Sequence, residues 1–218
     1  MISFLRDQVN FIRQVHQRFY TTGAVLPSSR FLAYNTTRPL AKFKGPKRVL
    51  ELGPGTGAVT RHIVKLINPE DQFDLVEINE EFGQILKNRF EHDPDYKRVA
   101  GVSKVHICPL QDFKSDEPYD IIISGLPFNN FPSDLVEELV EASLKLLAPD
   151  GTYSFFEYMF MRPMRSAVTN RNDRQRIKEI EAILSKRFDN YRFKRDWVFI
   201  NVPPAWVHHL RFKGKDGA

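Results

Sequence analysis

The eleven residues from Arg48 to Ala58, Arg-Val-Leu-Glu-Leu-Gly-Pro-Gly-Thr-Gly-Ala, constrain this chain more than any other stretch. A short apolar run carrying one carboxylate, Glu51, enters a turn with glycines at Gly53, Gly55 and Gly57. Such a run predicts a buried strand, and the glycines allow a sharp turn and close approach of a ligand to the main chain. A helix expected to begin near Gly57 presents unpaired N–H groups at its start, which suit a polar or anionic ligand group. The dinucleotide fingerprint spaces its glycines as G-x-G-x-x-G. Here the spacing is G-x-G-x-G.

Three further strand–loop units follow in order. Phe73-Asp-Leu-Val-Glu-Ile78 places Glu77 near a strand end, with Ile78 beside it, twenty residues after Gly57. A carboxylate there accepts ribose hydroxyls at the carboxyl edge of an open α/β sheet. Lys104 to Ile107 leads into Leu110-Gln-Asp-Phe113, which puts Gln111 and Asp112 where an adenine amine is met. Asp120-Ile-Ile-Ile-Ser124 opens into Gly125-Leu-Pro-Phe-Asn-Asn-Phe131. This ordered set resembles the class I S-adenosylmethionine-dependent methyltransferases. Helices are expected over 56–67, 80–92, 133–147 and 171–188, a fifth strand over 152–157, and an antiparallel hairpin from 192–201 and 205–212. The expected fold is α/β: a Rossmann-like, seven-stranded, mostly parallel sheet with helices on both faces and the last strand antiparallel.

At 218 residues and 42% hydrophobic content the chain suits one domain with an appended segment. The single cysteine, Cys108, excludes an internal disulfide and fits a reducing compartment; it reads as a small buried hydrophobe. No apolar run approaches the roughly 20 residues that span a bilayer, and no signal-peptide core is seen at the N-terminus. A cytoplasmic protein is expected, and no metal-ligand set is read. The formal charge is +5, unevenly placed: residues 162–195 hold eleven Lys or Arg against four acids. Such a patch implies a polyanionic partner, an anionic membrane or nucleic acid.

Residues 1–22 separate from the domain expected over 23–218. At about 100° per residue, Phe4, Leu5, Phe11, Ile12 and Phe19 fall in one half of a helix, with Arg6, Arg13 and Arg18 at its borders. A wide apolar face with aromatics, bordered by arginines, describes a helix lying in a membrane interface. The alternative for such a face is packing onto the domain core.

The whole-chain pattern resembles the bacterial phospholipid N-methyltransferases, which methylate phosphatidylethanolamine stepwise toward phosphatidylcholine and are similar to the rRNA adenine dimethylases. The resemblance rests on the leading helix, Gly23-Ala-Val-Leu-Pro-Ser-Ser-Arg30, Glu51-Leu-Gly-Pro-Gly-Thr-Gly57, Ser124-Gly-Leu-Pro-Phe-Asn-Asn-Phe-Pro132, Asn201-Val-Pro-Pro-Ala205 and His209-Leu-Arg211. It implies that Glu51, Gly53, Gly55 and Gly57 hold the methionine part of S-adenosylmethionine, Glu77 and Ile78 the ribose, and Gln111 with Asp112 the adenine. It further implies that Ser28 and Ser29 close over the cofactor and that Arg30, His209 and Arg211 meet a lipid phosphate. The protein is then expected on the inner face of the cytoplasmic membrane, with an aminophospholipid as substrate and another aminolipid, such as an ornithine lipid, as the alternative.

The loop after the fourth strand bears on substrate class. Adenine-amine methyltransferases resemble one another there in an Asn/Asp/Ser-(Pro or Leu)-Pro-aromatic pattern whose first side chain grips a planar amine. This chain has Gly125-Leu-Pro127-Phe128, followed by Asn129, and Gly125 offers no side-chain acceptor. That departure favours an aliphatic amine over a nucleic-acid base. Phe128, Tyr34 and Tyr158 are expected around the amine, since aromatic faces attract alkylammonium groups.

Overall fold

Strands buried on both faces read as near-continuous apolar runs. In the computed structural model the central strands follow this rule: β1 (Arg48–Leu52), β2 (Gln72–Glu77) and β4 (Tyr119–Ser124) are buried along most of their length. The structure describes residues 30–158, 175, 178–180, 182–186, 191–200 and 204–211. The leading segment with Phe4, Leu5, Arg6, Phe11, Ile12, Arg13, Arg18 and Phe19 lies outside the described residues, as do Ser28, Ser29 and the side chain of Asn129.

With β3 (Ser103–Ile107), β5 (Leu147–Tyr158), β6 (Arg192–Val198) and β7 (Ala205–Arg211), these strands form one seven-stranded sheet ordered β3-β2-β1-β4-β5-β7-β6. Strands β1 to β5 pair in parallel, and β7 runs antiparallel to both β5 and β6. The sheet is the α/β arrangement expected from sequence, reversed strand included.

Helices cover both faces. On one, α6 (Ser133–Lys145) and the described helical residues Ile180 and Leu184 pack over Leu50, Ile122, Tyr153 and Phe155. On the other, α3 (Thr60–Ile63), α4 (Glu80–His92) and α5 (Pro94–Lys97) cover Val49, Leu75, Ile121 and Ile123. Burying each such leucine or isoleucine contributes about 1.5–3 kcal/mol. Beside them α1 (Arg30–Thr36) lays Leu32 against Tyr158, Val198 and Val207, and α2 (Arg38–Lys42) follows it.

Local chemistry explains the boundaries. Asn79 caps α4 by accepting the Phe82 N–H at 3.2 Å, with Glu80 and Glu81 in the first turn. The helix expected over 56–67 is regular only across Thr60–Ile63. Around it three-residue bonds intrude, His62 N–H to Val59 O and Leu66 N–H to Ile63 O, both 2.8 Å. Val59, Thr60, Ile63 and Val64 are β-branched and crowd the preceding turn, so the segment winds unevenly.

The starts of β1 and β2 are locked by a buried ion pair. Lys47 Nζ meets Asp71 at 2.7 Å, with the two side chains 3% and 0% exposed. Asp71 also accepts the N–H groups of Lys47 (3.1 Å) and Asn68 (2.8 Å). Removing one member of a buried pair leaves an uncompensated charge. Asp71→Ala is therefore expected to destabilise the fold by about 3–5 kcal/mol, measured as a lower denaturant midpoint.

Candidate active site

The carboxyl ends of β1 to β4 open into a cleft of about 400 Å³, whose lining includes Gly53, Glu77, Ile78, Cys108, Gln111 and Leu126.

The β1 turn forms one wall. Gly57 has φ +79°, and a Cβ on it would meet Arg89 Nη1 at 2.8 Å, Leu86 at 3.0 Å and the Tyr96 hydroxyl at 3.2 Å. Arg89 donates to the Thr56 carbonyl at 2.7 Å, so α4 and α5 clamp the turn from behind. The β4 loop forms the facing wall, and the two touch through glycine. A Cβ on Gly125 would stand 2.7 Å from the Gly53 carbonyl oxygen, and one on Gly53 would stand 2.8 Å from Leu126. Gly125 N–H donates to Leu52 O at 2.8 Å, which fixes this approach.

Two carboxyl groups lie under the turn. Glu77, fully buried, accepts the Gly55 N–H at 2.9 Å and the Asn79 N–H at 2.8 Å. It thereby ties the β1 turn to the end of β2. Glu51 is 1% exposed and accepts the Thr60 hydroxyl at 2.7 Å. Burial, reinforced by the negative field of Glu77, pushes its pKa up to about 8 against the opposing Thr60 bond. Glu51 is thus largely a neutral acid at pH 7.

Across the cleft, Gln111 Oε1 is buried and has no hydrogen-bond partner among the described residues. An orphaned acceptor facing a cleft calls for a donor from a ligand. The Cys108 thiol is raised by burial and by Asp112, which keeps it protonated. Asp112 itself is exposed and absent from the cleft lining, so of the pair expected at an adenine only Gln111 faces the cleft.

Other expected site residues are scattered. Phe128 is 2% exposed and packs edge-on to Phe155 with ring centres 5.7 Å apart, on the α6 face. Tyr158 is buried on the opposite face against Leu32 and Val198, because successive β5 side chains alternate. Tyr34 is exposed on α1. The three aromatics do not form a cage. Pro127 is half-buried behind Gly125, and Arg30 is exposed at the start of α1, its guanidinium 4.9 Å from the Phe31 ring centre.

His209 and Arg211 require correction. Arg211 pairs with Thr152 and His209 with Ser154, whereas the cleft lies at the level of Ser124 and Phe155 and beyond. Arg211 therefore sits at the amino edge of the parallel strands, remote from the cleft. His209 is 1% exposed, with Nδ1 2.8 Å from Ser154 and Nε2 3.3 Å from Asp196. Burial holds it down to about 4 despite Asp196, so it is uncharged at neutral pH. Neither residue is placed to meet a head group in the cleft. Sequence reasoning also missed Arg89, Tyr96 and Asn79, whose supporting roles appear only once α4 and α5 dock on the turn.

A family model described as a methyltransferase domain matches residues 49–151. The chain is similar to an ornithine lipid N-methyltransferase from Singulisphaera acidiphila, 28% identical over 150 residues that span 69% of this chain and 77% of that protein. It also resembles the O-methyltransferase TomG from Streptomyces achromogenes, solved with S-adenosylmethionine, with a TM-score of 0.60 and 16% identity over 94% of this chain and 89% of the other. An O-methyltransferase from Bacillus cereus, solved with S-adenosylhomocysteine, gives a TM-score of 0.61 and 14% identity over 94% and 90%. Residues 49–151 carry a class I S-adenosylmethionine-dependent methyltransferase domain. The protein carries a methyltransferase domain, whose cofactor is S-adenosylmethionine.

The cleft fits that cofactor. The glycine contacts leave the main chain bare, Gln111 offers an acceptor for an amine donor, and a cation near the neutral acid Glu51, under the turn, would favour its charged form. A raised carboxyl pKa favours the ligand-free fold below about pH 4.5 and loses that contribution as pH rises toward 8. A cation that pulls the pKa back down reverses the loss. Cofactor affinity is therefore expected to strengthen from pH 6 to 8 with proton release, while Glu51→Gln flattens this dependence; calorimetry in buffers of differing ionisation enthalpy reads both.

Proposed function

We propose that this enzyme transfers a methyl group to the aliphatic amine of a membrane lipid head group, with an ornithine lipid as the first substrate to test. The observation that carries this reading is the Gly125 loop, where glycine stands in place of an amine-gripping side chain and a Cβ would meet Gly53 O at 2.7 Å. A planar aromatic amine needs a side-chain acceptor there to draw it toward tetrahedral geometry. An aliphatic amine is tetrahedral already. The similarity to an ornithine lipid N-methyltransferase supports the choice of head group. The second reading, phosphatidylethanolamine, is favoured by the Gly23–Arg30 and Ser124–Pro132 motifs.

In this proposal the main chain of Gly53, Gly55 and Gly57 with Glu51 holds the methionine part of the cofactor, Glu77 and Ile78 the ribose and Gln111 the adenine. A carboxylate oxygen accepts two hydrogen bonds, so the anchoring of Glu77 by backbone is compatible with that role. Arg30, at the start of α1, would meet the head-group anion. The cofactor supplies an electrophilic methyl on a sulfonium; the chain supplies orientation and a dry wall. Deprotonating an ammonium of pKa about 10 at neutral pH costs about 4 kcal/mol, whereas orientation contributes about 7–11 kcal/mol. Positioning outweighs the proton, and no dedicated strong base is required.

The direct test offers the enzyme methyl-labelled cofactor with ornithine lipid, phosphatidylethanolamine and total RNA. Label is expected in a lipid, and ornithine lipid is expected to lead; label confined to RNA overturns the proposal. Placing Asn at Gly125 is expected to force the two loops apart, costing about 1–3 kcal/mol of stability and weakening cofactor binding, without creating RNA methylation. Thermal melting and the same labelling assay check this.

A further inference from the structure

We propose that Phe199 and Ile200, which follow β6, with the outward face of β6, enter the head-group layer of a lipid bilayer and set the cleft against it; this rests on the aminolipid reading above. Strand β6 is an edge strand. Its inward residues Asp196 and Val198 face α1 and α2, with Val198 buried against Leu32 and Asp196 bonded to Arg38 at 3.2 Å. Arg195 and Trp197 point the other way. Trp197 is 51% exposed, and the chain then turns through Phe199 and Ile200, 63% and 70% exposed. The Trp197 ring stacks on Phe199 at 5.6 Å and meets Trp206 edge-on at 5.8 Å. Contiguous exposed apolar side chains of this size mark interaction sites.

The occupant follows from charge and place. Arg195 lies over both indoles, 5.2 Å from Trp197 and 5.6 Å from Trp206, and has no carboxylate partner among the described residues. Aromatics interleaved with an arginine suit an anionic bilayer interface, where tryptophan sits at head-group depth and each basic residue adds roughly a factor of five to partitioning. A second copy of this chain paired along β6 would set Lys194 and Arg195 against like charges. Val198 pairs with Ala205, and Ala205 with Tyr158 at the end of β5, so Phe199 and Ile200 leave β6 at the same sheet edge as the cleft. Arg30, where residues 1–29 join the fold, lies at this end too, since Leu32 packs on Tyr158 and Val198.

Trp197 and Trp206 are the two tryptophans of the whole chain, so intrinsic fluorescence reports this surface directly. With phosphatidylcholine vesicles containing phosphatidylglycerol, emission should shift to the blue, and brominated acyl chains should quench it. The double variant Phe199→Ser/Ile200→Ser should partition at least tenfold more weakly while still methylating a short-chain aminolipid in micelles. Trp197→Phe, which keeps one reporter, should lose most of the quenching. Protein that sediments with vesicles while its tryptophans stay unquenched overturns the proposal, as does unchanged partitioning of the double variant. A change of oligomeric mass in place of lost partitioning also overturns it. Quenched emission together with absent methyl transfer to any micellar aminolipid upholds the surface and rejects the substrate reading instead.

Discussion

A carboxylate with no exposed surface, Glu77, holds the site together. It ends β2, bonds the Gly55 N–H of the neighbouring turn and the Asn79 N–H that begins α4, and so couples two loops to one side chain. Charged acceptors make strong bonds to backbone donors, and here both partners sit in a water-poor edge of the sheet. The β1 turn is thereby fixed before any ligand arrives. Its other supports, Arg89 on the Thr56 carbonyl and Tyr96 near Gly57, come from α4 and α5, which start from the Asn79 and Asp93 caps.

That anchoring has an electrostatic consequence. Burial makes it costly to ionise Glu51, and the negative field of Glu77 one strand away adds to the cost. Under the proposed cofactor binding, the fixed backbone would be joined by a carboxyl that a nearby cation pulls toward its charged form. The same tightness governs the facing wall: with Gly125 against Gly53, the β4 loop cannot carry a side chain at that point without moving the turn that Glu77 fixes.

The seven-stranded sheet and its reversed last strand were legible because buried parallel strands leave unmistakable apolar runs and a Pro-Pro turn separates the final pair. Helix α4 was legible to its boundaries, since Asn79 caps it and Asp93-Pro94 stops it. What failed was inference across the C-terminal strands. His209 and Arg211 belong to a motif in sequence, but the antiparallel direction of β7 carries Arg211 to the far edge, and alternation turns His209 toward Ser154 and Asp196. Phe128 and Tyr158 looked alike as aromatics near strand ends, yet Phe128, in the turn after β4, packs on Phe155, while alternation along β5 sends Tyr158 to the opposite face. The regular core of the helix after Gly57 shrank to Thr60–Ile63 because β-branched crowding is a tertiary cost that periodicity does not register.

The reversed strand also explains why two separate features share one edge. Because β7 is antiparallel to β5 and β6 is antiparallel to β7, β6 runs in the same sense as β1 to β5. Its exit must then lie where theirs do, at the carboxyl edge that carries the cleft. A parallel seventh strand would need a crossover back to the amino edge. One inserted reversal thus brings the end of β6, with Phe199 and Ile200 following it, to the edge where β4 and β5 exit. The proposed bilayer-tethered amine would need the cleft and the proposed membrane surface on one edge of the sheet, and this topology puts the cleft and the exposed Phe199 and Ile200 on the same edge.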